Sequence, residues 1–343
     1  MSTNHKPDRI FYLDFVRAIS MIFIVVFHFN VSLGGHGIIG KEISMRLIPN
    51  GNLGHIGVSL FFMISGAALI HSYKNNFSIM NFFKKRLIAL YPMFWIAYAI
   101  AFLFLFYVNL SINHSVPKWT FILTVLGFDG YLLYRTPNFY ILGEWFLGCI
   151  IMLYVCFPIL RFLMTKYPKL LLIGVFGLYF VLVANYSFEM PVDRNFLTRI
   201  PEFLLGMYFI QYIKKVNIFY VIGAIGVIAL MLFKGVSINP MYIITSTGIA
   251  VFVVLVYIGQ YITIDKIKAP FILISKLSYP IFLAHHVIID QLLVRFNGAT
   301  LTTSESYCLF IFTCIVILVI SVYLYKLSNN VSRYVSGLLI VKK

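Results

Sequence analysis

Three ionisable residues stand inside the first long apolar stretch of the chain: Asp14, Arg17 and His28. On a helix turning 100° per residue, Arg17 and His28 differ by only about 20° in direction. Asp14 lies three residues before Arg17, a spacing that makes neighbours on a helix surface. All three therefore share one stripe, and the 1.5 Å rise sets His28 roughly 16 Å along the axis from Arg17. An arginine's planar fork suits phosphate. A histidine exchanges a proton near neutral pH. The separation is close to the reach of the arm between the phosphates and the sulfur of coenzyme A. Two plainer readings stand beside this one: Asp14 and Arg17 as a self-neutralising ion pair, and His28 as a satisfied polar residue near an interface.

The elements that must carry this stripe are membrane helices. The chain has 343 residues, 61% of them hydrophobic and 17% aromatic, with 11% charged. A soluble domain carries about 25% charged residues. A soluble enzyme, a disordered chain and a disulfide scaffold are excluded on that ground. The apolar runs are long and do not alternate, which argues against a β-barrel. The expected fold is all-α: a polytopic bundle of about ten transmembrane helices forming a single domain over 1–343. Spans are predicted over about 10–30, 54–72, 88–108, 139–160, 170–187, 197–213, 217–233, 238–260, 271–293 and 304–325. The apolar stretch 119–134, fenced by Pro117 and Pro137, reads as a re-entrant or interfacial piece, and 326–343 as a short basic cytoplasmic tail.

With the N-terminus inside, eighteen of the 27 Lys and Arg residues fall on the cytoplasmic side and eight outside, with Arg17 within the first span. This imbalance puts both termini in the cytoplasm. It also accounts for most of the net charge of +16, so nucleic acid is not an expected partner. The partners expected are membrane lipids. The long first run, interrupted by Asp14 and Arg17 and followed by no cleavage site, is not a signal peptide. Cys149, Cys156, Cys308 and Cys314 all lie in apolar runs and read as packing residues. No carboxylate cluster or cysteine spacing suggests a metal.

Further polar residues stand in or near the spans. His285 lies near the depth of His28. His286 and Asp290 are i,i+4 and able to pair. Arg199 and Glu202, i,i+3 at the outer end of the sixth span, read as a rim ion pair. Glu144 and Trp145 read most simply as an interfacial anchor. Lys84, Lys85 and Arg86 form a basic inner loop that lipid headgroups alone would satisfy.

Several of these stretches together resemble the integral-membrane acyltransferase-3 family. LDFVRAISMIFIVVFHF at 13–29 is similar to the family's first helix, with its arginine, ten residues and histidine at Arg17 and His28. GVSLFFMISGA at 57–67, FFKKRLIALYP at 82–92, RIPEFLLGM at 199–207 and SYPIFLAHH at 278–286 resemble further family segments, in the family's order. Three positions depart from it. Ala89 replaces the loop's second arginine. Ile150 stands where many members carry a glutamate, while Glu144 precedes Trp145. The esterase-like domain found in some members is absent from this sequence.

The resemblance implies a plasma-membrane enzyme moving an acyl group, acetyl being the commonest, from cytoplasmic acyl-CoA to a hydroxyl of an extracytoplasmic polysaccharide or its lipid-linked precursor. It implies acetyl-CoA phosphates near Arg17, Lys85 and Arg86, an arm passing Ser65 and Gly66, His28 as base or acyl carrier, and Asp14 orienting Arg17. His285, Glu144, Trp145, Arg199 and Glu202 are the weaker expectations for the acceptor. The rival readings are a transporter of a lipid-linked sugar and a non-catalytic export subunit.

Overall fold

A computed structural model describes residues 9–43, 53–74, 77–140, 142, 144–232 and 238–340. Its helices are α1 (Phe11–Gly35), α2 (Leu53–Ser72), α3 (Ile79–Asn109), α4 (Phe121–Leu126), α5 (Glu144–Lys166), α6 (Pro168–Ala184), α7 (Phe196–Tyr208), α8 (Ile218–Leu232), α9 (Pro240–Tyr261), α10 (Asp265–Leu293) and α11 (Thr303–Ile340). Among the described residues there is no strand, only an isolated bridge between Ile39 and Thr300.

Each of the ten predicted apolar segments contains a helix. Among the described residues seven helices, α1, α2, α3, α5, α9, α10 and α11, are long and apolar enough to cross a membrane. The other three fall short of the roughly 20 residues a crossing needs: α6 has 17, α8 has 15 and α7 has 13, the last running on into a π-helical turn at Phe209–Ile213.

Two boundaries differ from expectation. The basic segment read as a loop is helix. Ser78 caps α3, its hydroxyl accepting from the Asn81 amide, so Lys84, Lys85 and Arg86 lie in the first turns of α3, and Pro92 is inside it. A serine N-cap opens a helix efficiently, and proline within an apolar helix is tolerated in a membrane setting. At the other end α11 continues to Ile340, so residues 326–340 prolong the last helix, while 341–343 lie outside the described residues.

The chain forms two compact units, with α1, α5 and α10 each contributing to both. The first comprises residues up to Ile24, Arg46–Phe77 and Cys149–Lys276. Its helices meet at small residues, as membrane helices do where only close van der Waals contact holds them. A Cβ on Gly206 would fall 1.8 Å from the carbonyl oxygen of Met63, and one on Gly66 would fall 2.0 Å from that of Phe203. α2 and α7 thus touch backbone to backbone. Gly248 of α9 packs on the side chain of Ser59, and Ser20 of α1 donates to the Gly57 carbonyl at 2.6 Å.

The second unit comprises Val25–Met45, Ser78–Gly148 and Leu277–Lys343. Here the stretch read as re-entrant resolves into a 3-10 turn at Lys118–Thr120 followed by the six-residue α4. Two side chains of α3 tie it down: the Tyr91 hydroxyl donates to the Leu126 carbonyl and the Trp95 indole to that of Val125, both at 2.9 Å. The segment after α1 pairs with the one after α10, Ile39 bonding Ala299 and Leu301. His36 contacts Asp290 at 2.8 Å and Asn297 at 2.6 Å. Asp290 therefore serves His36 as hydrogen-bond partner, where the i,i+4 spacing had offered it to His286.

Candidate active site

α1 is one uninterrupted helix, and its second half carries His28 into the second unit. α10 brings His285 and His286 to the same place. The His28 ring lies 5.1 Å from that of His285 and 4.0 Å from that of His286, centroid to centroid. The α5 N-terminus adds a carboxylate. Glu144 Oε2 stands 3.8 Å from His28 Nε2, and its Oε1 contacts His286 Nε2.

The third histidine is held differently. His285 is fully buried, and its Nδ1 lies 3.1 Å from the Ile281 carbonyl and 2.8 Å from that of Phe282. Two acceptors on one side require the proton on Nδ1. Nε2 is then a lone-pair acceptor, and it has no hydrogen-bond partner. Each histidine offers a ligand nitrogen, and the three lie within 4.8 Å of one another.

Glu144 is set with unusual care. Its φ of 44° is in the left-handed region, which a residue with a side chain rarely adopts. Such a conformation persists only where the surroundings enforce it. The enforcing contact is Gly130: a Cβ there would lie 2.4 Å from the Glu144 carbonyl carbon. One turn along α5, Gly148 receives Tyr131 just as closely. The turn at 128–131 is thus wedged under the first turn of α5.

Asp129 anchors that turn. It is 2% exposed, and its carboxylate accepts from the Gly130 amide at 2.9 Å. Burial pushes its pKa up to about 6, with the hydrogen bonds from Gly130 and Thr124 opposing the rise. An acid whose folded pKa is raised binds its proton more tightly in the native state. Its contribution is fully present below the unfolded value of 3.8 and is lost as pH rises through about 6. Asp129→Asn, which cannot ionise, should escape that loss. Between pH 5 and 7.5 the detergent-solubilised wild type should lose about 1.4 kcal/mol of stability relative to the variant, read as a falling melting temperature.

The remaining predicted residues are distributed as follows. Asp14 is buried and accepts from Arg9 and, at 2.6 Å, from the Ser275 hydroxyl. Arg17 is half-buried on the same helix, Lys85 is exposed and Arg86 half-buried. Ser65 is half-buried, but Gly66 is closed off by Phe203 and Met207. Its smallness serves the α2–α7 contact, which corrects its expected place along a ligand arm. Trp145 is half-buried beside Phe146.

Arg199 and Glu202 require the largest correction. Neither is at a rim: both are 0% exposed. Arg199 Nη1 reaches both Glu202 oxygens, at 3.0 and 3.2 Å, and its Nε donates to the Asp193 carbonyl at 2.7 Å. The Ser59 hydroxyl donates to Glu202 at 2.7 Å. Beside them, His55 approaches the Asp193 carboxylate at 3.5 Å. Burial works against ionisation of Asp193, but the His55 hydrogen bond and the Arg199 charge outweigh it and hold the carboxyl below its ordinary value. This is an interior ionic network, set away from the rim.

From the sequence, His28, His285 and Glu144 stand as separate candidates, and His286 is offered to Asp290 rather than to them. A signal was present in the doublet His285-His286 following an aromatic run. What was lacking was the pairing of positions more than a hundred residues apart.

The family described as an acyltransferase domain, Acyl_transf_3, matches residues 10–326, from just before the Asp14–Arg17–His28 helix to within α11. No curated protein and no solved structure gives a match. With its family signature covering nearly the whole length and its apolar helices long enough to cross a bilayer, the chain belongs to the acyltransferase-3 family of membrane acyltransferases.

Proposed function

We propose that this protein transfers an acetyl group from acetyl-CoA to a hydroxyl of a cell-surface glycan or its lipid-linked precursor. The observation that carries the reading is the Glu144 carboxylate set against His28 and His286. A carboxylate beside an imidazole fixes the ring and stabilises the imidazolium that forms when the ring takes a proton. With Nε2 of His28 turned to Glu144, Nδ1 is the nitrogen free to accept the acceptor's proton. The acceptor oxygen then attacks the thioester carbonyl, the carbon–sulfur bond breaks, and the proton passes from His28 to the departing thiolate. Glu144 draws nearer to His28 as charge develops, since 3.8 Å is longer than a formed hydrogen bond.

On the donor side, Arg17 supplies a bidentate phosphate partner, with Asp14 steadying the same stretch of α1, and Lys85 and Arg86 at the start of α3 add positive charge. Ten crossings with both termini in the cytoplasm of a plasma-membrane protein complete the proposal, because this topology gives the donor an inner entrance and the acceptor an outer one. Among the weaker acceptor residues, His285 and Trp145 are retained. The lone pair of His285 Nε2 suits a sugar hydroxyl and the Trp145 ring a sugar face.

The test uses native membranes and acetyl-CoA labelled in the acetyl group. Label should move to surface glycan and be released by mild alkali, as an ester is. Hydrolysis of acetyl-CoA at the background rate with no labelled glycan would reject the reading.

A further inference from the structure

We infer that His28, His285 and His286, with Glu144 as a fourth donor, form a Zn2+-binding site, and that Zn2+ in this site competes with the base function of His28. The competition rests on the function proposed above; the binding does not.

Three features support binding. First, the ligand nitrogens of the three imidazoles lie within 4.8 Å of one another, so small side-chain movements gather them on one ion. Three neutral histidines with one carboxylate are a donor set suited to zinc, which takes imidazole nitrogen at about 2.0–2.1 Å and carboxylate oxygen at about 2.0–2.2 Å in a tetrahedron.

Second, His285 is already arranged as a ligand. Metal-binding histidines commonly donate the distal N–H to a carbonyl, which fixes the tautomer and raises the basicity of the other nitrogen. Here Nδ1 faces the carbonyls of Ile281 and Phe282, leaving a fully buried Nε2 with its lone pair and no hydrogen-bond partner. A buried acceptor without a partner is costly and calls for a donor or a cation.

Third, the charge fits. Glu144 sets a carboxylate against these rings, contacting His286 directly and His28 at 3.8 Å. It offsets half the charge of a divalent ion, and the Asp290 charge also acts on His286. The hard cations Mg2+ and Ca2+ prefer oxygen ligands and are poorly served by three nitrogens.

Competition follows from the chemistry of the lone pair. A nitrogen lone pair bound to zinc cannot take a proton, so the loaded protein lacks its base.

The experiment uses the full-length protein purified in detergent. Titration calorimetry with ZnCl2 should show one saturable equivalent, and MgCl2 none. Affinity should fall tenfold or more in both His285→Gln and His286→Gln. Because either variant could misfold, Co2+ added to the wild type gives an independent readout: tetrahedral nitrogen ligation produces strong visible absorption bands, which Zn2+ should abolish. In native membranes, acetyl transfer should stop over the concentration range that fills the site and return on chelation. No saturable binding with no cobalt bands would overturn the site while leaving the proposed function standing. Binding unchanged in folded variants would overturn the ligand assignment. Transfer lost on chelation and restored by Zn2+ would overturn the competition, and with it the role of His28 as free base.

Discussion

His28→Ala should lower acetyl transfer by about 10²–10⁴-fold, the usual worth of a positioned acid–base group, while the protein reaches the membrane at wild-type levels. The second half of that expectation follows from where the ring sits. His28 is partly accessible, with a side chain 16% exposed, and its contacts include the His285 and His286 rings and the Glu144 carboxylate beside one aromatic neighbour, Phe27. Removing it leaves a polar recess instead of a dry cavity, and water can meet Glu144 there. The measurement is the O-acetyl content of surface glycan by NMR, at matched protein levels. An unchanged acetyl signal would remove His28 from the chemistry. Loss of the whole polymer would instead favour a role in export. In the proposed mechanism Glu144 works through the orientation and charge of His28, so its loss should cost less than the loss of the base itself.

The first helix was the most legible part of this protein. The stripe of Asp14, Arg17 and His28 follows from helical geometry alone, and α1 is indeed one unbroken helix across all three. The apolar segments were legible too, because a continuous run of about 20 apolar residues is a strong signal. Less legible were features that depend on the far side of a contact. Gly66 looked like space for a ligand because its sequence shows a missing side chain, not the Phe203 backbone that fills the gap. Lys84 to Arg86 looked like loop because their charge suits a cytoplasmic turn, while the Ser78 cap that starts α3 before them is a weak local signal. Glu144 lies out of register with the family's usual glutamate and so stood only among the weaker acceptor residues. Its placement comes from a left-handed backbone and a glycine fourteen residues earlier, neither of which has a sequence period.

Arg199 and Glu202 illustrate the same limit and yield the largest expected effect on stability. Spacing identified them as a pair, but spacing carries no depth. Fully buried, they obey different energetics from a rim pair. A surface pair contributes about 0–1 kcal/mol, whereas removing one member of a buried pair strands the other charge and costs about 3–5 kcal/mol. Arg199→Met should therefore destabilise severely, leaving Glu202 with only the Ser59 hydroxyl in place of its guanidinium. Glu202→Gln should cost less, because the amide oxygen still accepts from Ser59 and one guanidinium nitrogen. The double change Arg199→Met with Glu202→Leu should recover much of the loss, since a buried ion pair can often be replaced by apolar volume at little cost. Thermal unfolding of the three variants in detergent distinguishes this from a binding role. If Arg199→Met melts with the wild type and only acceptor use changes, the pair belongs to substrate binding. If the double variant is folded and stable but the single is not, the network is an internal brace joining α2 to α7, at the level where Gly206 and Gly66 bring the two backbones into contact. The brace reading also explains the residues around it. Ser59 must be small enough to accept Gly248 and polar enough to reach Glu202. The Asp193 carbonyl, close to the His55 contact of its own carboxylate, accepts from the guanidinium Nε.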